Sequence, residues 1–127
     1  MDRKFISSGS YWETTYGYSR AVVADGHVYV SGTAPIMPDD ADPPADAYGQ
    51  ARRCFEIIER ALTEAGASMD DVVRARFFVT DRKFAAEILK AHAEVFRNAR
   101  PANTGVVTQL MDPRWLVEIE VEAILPS

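Results

Sequence analysis

The sequence predicts a single α+β domain, a sheet with two helices on one face and its other face bare. Three observations carry that expectation. Apolar residues recur at helical spacing in two segments, each lying between segments that alternate at period two. An Asp-Gly pair separates the first two alternating segments, a strong hairpin signal. The last alternating segment sets Val117, Ile119, Val121 and Ala123 against Glu118, Glu120 and Glu122. One side of that strand belongs to a core, and the other is too acidic to do so.

Residues Asp2 to Gly17 are mixed and polar, and the aromatics Tyr11, Trp12 and Tyr16 suggest an arm packed on the body. Tyr18 to Val23 and His27 to Ser31 form the expected hairpin around Asp25-Gly26. Ala34 to Ala47 holds Pro35, Pro38, Pro43 and Pro44 among aspartates with no periodicity, and is read as a loop. A helix follows, with Asp46 as N-cap. Its apolar stripe is Tyr48, Ala51, Phe55, Ile58, Leu62 and Ala65, and Gly66 is its left-handed stop.

Val72 to Thr80 reads as a strand with Val73, Ala75, Phe77 and Val79 on one face and Arg74 and Arg76 on the other. Asp81 opens a second helix running to about Phe96, with Ile88, Leu89, His92, Val95 and Phe96 as its buried stripe. Strands near Thr104–Gln109 and Leu116–Ile124, joined by a turn, close the domain. The order is β-β-α-β-α-β-β, and right-handed crossovers place both helices on one side. Arg74, Arg76, Phe78, Glu118, Glu120 and Glu122 then share the bare face, where Tyr29 and Phe78 favour association with further copies of the chain.

Composition narrows the function classes. The chain has 127 residues, enough for one domain (1–127) with its own core. A net charge of −5 gives no electrostatic footprint for nucleic acid or an anionic membrane. No apolar run is long enough to span a bilayer, and the start lacks the hydrophobic core of a signal peptide. Cys54, the one cysteine, excludes an internal disulfide and sits in a helical pattern as a small hydrophobe. A reducing, cytoplasmic compartment is expected. His27 and His92 lie in no metal-binding spacing, and no phosphate loop or serine elbow is present, so neither metal nor cofactor is expected.

The acidic ladder is the remaining candidate. Glu120 and Glu122 are expected to pair across the sheet with Arg74 and Arg76. Glu118 lies nearest the turn, where a strand edge can open into a cleft, and a carboxylate there can activate water as a general base. Composition alone leaves pairing and catalysis both open for Glu118.

The segments GYSRAV, HVYVSGTAP, QARRCFEIIERALTEAGASMDDVVRARFFVTD, RPANTGVV and LVEIEVEAI together resemble the reactive intermediate deaminase (Rid, YjgF-like, L-PSP) superfamily. The resemblance runs from Tyr18 to Ile124. It implies a chorismate-mutase-like fold, a mixed six-stranded sheet with two helices on one face. It also implies a homotrimer whose intersubunit clefts bind a small molecule. Deaminases of the family hydrolyse enamines and imines such as 2-aminoacrylate. Carried onto this chain, the resemblance makes Glu118 the residue that positions or activates water. Tyr18, Ser31, Gly32 and Gly105 then line the pocket.

The family's substrate-binding arginine is replaced by Asn103, which has no charge to pair with a carboxylate. Thr33 stands where glutamine is frequent, and Leu89 where asparagine is common. Arg20, and after it Arg114, are the cations placed to compensate; otherwise the ligand is uncharged or differently shaped. The expectation is a deaminase-like hydrolase that is inefficient on 2-aminoacrylate. A non-catalytic metabolite binder is the alternative, and an endoribonuclease is disfavoured by the acidic chain and the missing arginine.

Overall fold

The computed structural model describes residues 2–127. Six strands form one mixed sheet in the order β1-β2-β3-β6-β4-β5. They are β1 (Arg3–Ile6), β2 (Ala21–Ala24), β3 (His27–Thr33), β4 (Val72–Val79), β5 (Ala102–Val107) and β6 (Val117–Ile124). Three α-helices accompany them, α1 (Tyr11–Tyr16), α2 (Ala47–Ala65) and α3 (Ala85–Val95). Only β4 and β5 run parallel; all other neighbours are antiparallel.

The expected arm is more ordered than a packed coil. Its first part is an edge strand, Arg3 to Ile6 paired with Ala24 to Ala21, and its aromatic part is the short helix α1. A four-residue strand with two basic residues carries little period-two signal, which is why it escapes the sequence pattern. The hairpin stands as expected: Asp25 and Gly26 both take positive φ, 51° and 77°, as a two-residue turn of this hand requires. Its first strand begins at Ala21 rather than Tyr18, because the Tyr18 amide is held by the Glu13 carbonyl of α1.

Both long helices lie on one face. Ala51, Cys54, Phe55, Ile58, Ala61 and Leu62 of α2 and Ile88 and Ala91 of α3 share one core with Val28, Val72, Ala75, Val79 and the apolar side of β6. Gly66 ends α2 at φ 95°, donating to the Leu62 and Thr63 carbonyls. Asp46 sits at the N-cap in extended geometry but makes no side-chain capping bond. The second helix begins as a 3-10 turn, with the Asp81 carboxylate accepting from the Lys83 amide. Leu89 is exposed and Ala91 takes its place in the core, so the inward stripe is narrower than expected.

Two strand expectations are corrected. Val73 does not share the buried face of Ala75; it is 46% exposed while Val72 is buried. A register shift between Val72 and Arg74 reverses the alternation there, as a bulge does. The last two strands are not neighbours either. β4 lies between β5 and β6, pairing with each, and the connection crosses it. β5 runs Ala102–Val107 as an outer strand, exposed along its whole length.

Candidate functional site

Glu118 stands on the bare side of β6, with its Cα opposite Phe78 of β4. It lies beside an irregularity in β3, where the pairing with β6 slips between Val30 and Thr33. Ser31 and Gly32 occupy that slip. The Ser31 hydroxyl donates to the Ser19 carbonyl at 2.7 Å, and the Thr33 hydroxyl donates to the Ser31 carbonyl at 2.8 Å. Thr33 is fully buried, so it serves as an internal brace. A Cβ on Gly32 would collide with Glu118 Oε2, so the carboxylate lies directly over the glycine backbone. Such close approach requires the absence of a side chain.

Arg20 is the next member. Its Nη2 donates to the Gly32 carbonyl at 2.6 Å, and its Nε is sealed from solvent with no hydrogen-bond partner. The Nε edge of the guanidinium is turned into the chain. Burial lowers its pKa, with the fields of Tyr18, Glu13 and Glu118 opposing that shift. Burial raises the Glu118 carboxyl above its ordinary value, against the pull of Arg20 and with reinforcement from Glu120. A half-buried carboxylate shifted in this direction is suited to take a proton from water.

Glu13 was not singled out by sequence reasoning. It is 6% exposed on a short helix whose neighbouring residues are exposed. The Ser8 amide donates to its Oε2 at 3.0 Å, and the Ser8 hydroxyl donates to the same oxygen. Burial pushes this carboxyl up, but Ser8, Ser7 and Arg20 outweigh it and hold the pKa below its ordinary value. The available signal was Ser10, three residues before Glu13, the spacing of a helix start. Ser10 does cap α1, accepting from the Trp12 amide.

The remaining expected site residues fall elsewhere. Tyr18 is 46% exposed between α1 and β2. Asn103 pairs in register with Ala75, and Gly105 with Phe77. Both therefore lie on the helix side of β5, whereas Glu118 lies on the bare side of β6, with β4 between. One chain does not bring them together. Arg114 is not a free cation: its guanidinium meets Asp112 at 3.0 Å, Asp40 at 3.1 Å and Asp42 at 3.2 Å. It ties the proline-rich loop to the turn before β6, assisted by Gln50, which donates to the Pro44 and Arg114 carbonyls and accepts from the Leu116 amide.

The acidic ladder is resolved in detail. Arg76 reaches both Glu120 (3.5 Å) and Glu122 (3.4 Å). Arg74 does not pair with an acid; it donates to the Thr104 hydroxyl at 2.6 Å. Cys54 is fully buried beneath the site, and burial raises its thiol pKa far above the reactive range. Among the described residues, no group of His, Cys, Asp and Glu could hold a metal ion.

The six-stranded order with two long helices on one face, and a glutamate of the last strand over a Ser-Gly slip, define a recognisable architecture. The chain belongs to the endoribonuclease L-PSP family, also called YjgF or Rid, whose model matches residues 10–125. A YjgF-family crystal structure from Mycobacterium tuberculosis superposes with a TM-score of 0.87 at 41% identity, covering 98% of this chain and 100% of that one. A Rid-family protein of unknown function from Yersinia pestis gives 0.86 at 27% identity, with the same coverage. An uncharacterised protein of Streptomyces coelicolor is 35% identical over 119 residues, 93% of this chain and 89% of its own length. A mitochondrial protein of Saccharomyces cerevisiae is 31% identical over 107 residues, 84% of this chain and 74% of its own length. No helix among the described residues is long and apolar enough to cross a membrane.

Proposed function

We propose that the chain assembles as a homotrimer whose clefts, formed between neighbouring copies, bind a small organic molecule and hydrolyse an imine or enamine. One observation carries this reading: Glu118, half-buried and raised in pKa, lies over the exposed backbone of Gly32 with Arg20 behind it. The separation of Asn103 and Gly105 from Glu118 within one chain supports a cleft completed by a second copy. The buried thiol of Cys54 accords with a reducing, cytoplasmic setting.

In this mechanism Glu118 takes a proton from water as the water oxygen bonds to the C=N carbon, and passes that proton to the nitrogen. The carbinolamine then loses ammonia as the C–N bond breaks, its hydroxyl proton passing through Glu118 to the leaving nitrogen, which leaves a carbonyl and the base in its starting state. Tyr18 and the Ser31–Gly32 backbone line one wall, and Asn103 of a neighbouring copy hydrogen-bonds the ligand from the other. On this reading Asn103 stands where the family's arginine would be, and the chain is one of a subgroup without it. Loss of that charge-assisted contact costs about 2–5 kcal/mol, so 2-aminoacrylate is a poor substrate.

The test generates imines in situ and follows their disappearance by trapping with semicarbazide, comparing the natural chain with Glu118→Gln. Faster hydrolysis that requires Glu118 supports the reading. No acceleration for any imine would refute the hydrolase, and light scattering giving a monomer mass would refute the trimer.

A further inference from the structure

The charge arrangement around Glu118 points to a ligand class, on the footing of the functional reading above. We propose that the imine accepted here carries no carboxylate, being the neutral or iminium form of an imine derived from a simple amine.

Binding a carboxylate calls for a cation that presents two donors outward, the fork geometry in which arginine excels. None of the chain's three candidate positions supplies it. Asn103 is neutral. Arg114 is surrounded by the carboxylates of Asp40, Asp42 and Asp112. Arg20 has Nη2 committed to the Gly32 carbonyl and Nε closed off from solvent, so the side-on fork formed by these two nitrogens faces the protein.

Its charge is also already balanced. Glu13 and Glu118 both act on Arg20, two acids against one guanidinium, and Glu13 is held ionised by its Ser8 hydrogen bonds. Beyond them, Arg76 is shared between Glu120 and Glu122. Around Glu118 these are four carboxylates (Glu13, Glu118, Glu120 and Glu122) to two guanidinium groups (Arg20 and Arg76), with Arg74 and Arg3 further along the same face of the sheet. A further carboxylate would enter a region already negative and partly shielded from water, where like charges repel strongly. A neutral imine meets no such penalty, and an iminium ion is favoured. Water adds to either through Glu118 with the same balance, releasing ammonia and an aldehyde.

The discriminating experiment uses a matched pair. Butylamine with a flavin-dependent amine oxidase yields an imine that differs from the one formed from norvaline by a flavin-dependent amino-acid oxidase only in lacking the carboxylate. Catalase removes the peroxide, and semicarbazide trapping reports hydrolysis. The carboxylate-free imine should show a kcat/KM at least tenfold higher, and Asn103→Arg, a change on an exposed strand, should reverse the order. In parallel, butyramide should perturb the Gly32 amide resonance at concentrations where butyrate does not.

Preference for the norvaline imine, or equal rates, would overturn the ligand class while leaving the hydrolase intact. Selective butyramide binding with neither imine accelerated would uphold the ligand class and remove the catalytic reading. Neither turnover nor binding would overturn both.

Discussion

The Arg20 guanidinium holds the Gly32 carbonyl at 2.6 Å, and so fixes the peptide over which the Glu118 carboxylate lies. Cation, backbone and acid thus form one continuous wall. The backbone at Gly32 does not need positive φ; the glycine is required only for clearance. Gly32→Ala should therefore fold normally, since the colliding atom is the free end of a flexible side chain. Stability should change by no more than about 0.5 kcal/mol. Imine hydrolysis should fall at least tenfold, because the carboxylate must leave its place. Unchanged turnover would show that the position of Glu118 over Gly32 is immaterial.

Glu118 links activity to stability with a definite sign. Its pKa is raised from an ordinary 4.5, chiefly by burial, so the folded chain holds this proton more tightly than the unfolded chain does. That contribution to stability is complete below the ordinary value and is lost as pH rises through the folded one. At neutral pH the ionised group is a cost, and Glu118→Gln should raise Tm by roughly 1–3 °C after allowance for solvent screening. Hydrolysis should rise with pH through the same elevated pKa. Arg20→Leu should move that limb to higher pH, and Glu120→Gln to lower pH. A fall in Tm, or an activity limb indifferent to both variants, would contradict this account.

Gly105 has a different reason for being glycine. A Cβ there would meet Phe77 Cζ at 2.5 Å and Cε2 at 2.8 Å, and Phe77 is a buried core residue on the neighbouring strand. An aromatic ring packed in the core cannot swing away as the Glu118 carboxylate can. Gly105→Ala should cost about 1–3 kcal/mol, read as a lowered denaturant midpoint. Adding Phe77→Leu should recover part of the loss. If Gly105→Ala is as stable as the natural chain, the packing explanation is wrong.

The contrast between these glycines shows what the sequence could disclose. Period-two alternation in β6 and the stripe along α2 are properties of one segment each, and both were legible. So was the Asp25-Gly26 hairpin. What escaped depends on a second segment: the slip that exposes Val73 arises in the pairing of β4 with β6. Arg74 and Arg76 look equivalent in the chain. Only Arg76 faces two acids, whereas Arg74 turns toward Thr104 on the other neighbouring strand. The site follows the same rule. Glu118 was put forward through resemblance, while the Arg20 contact depends on the Gly32 carbonyl, a backbone group that no side-chain pattern announces.

His92 provides a pH test away from the site. Its ring packs edge-on against Phe96 at 4.7 Å and Phe55 at 6.4 Å, with Nε2 sealed and lacking a partner. Burial lowers its pKa from 6.5, so the unfolded chain binds this proton more readily than the folded one. Stability from the neutral ring is present above about pH 6.5 and is lost as pH falls through the window below it. Between about pH 7.5 and 5.5 the natural chain should lose stability through this residue. His92→Phe keeps an aromatic ring against Phe55 and Phe96 but has nothing to protonate. Comparing the two proteins at each pH cancels the opposite contribution of Glu118. The stability advantage of His92→Phe should grow steadily as the solution is acidified, and an advantage independent of pH would mean that His92 takes up its proton equally well in the folded chain.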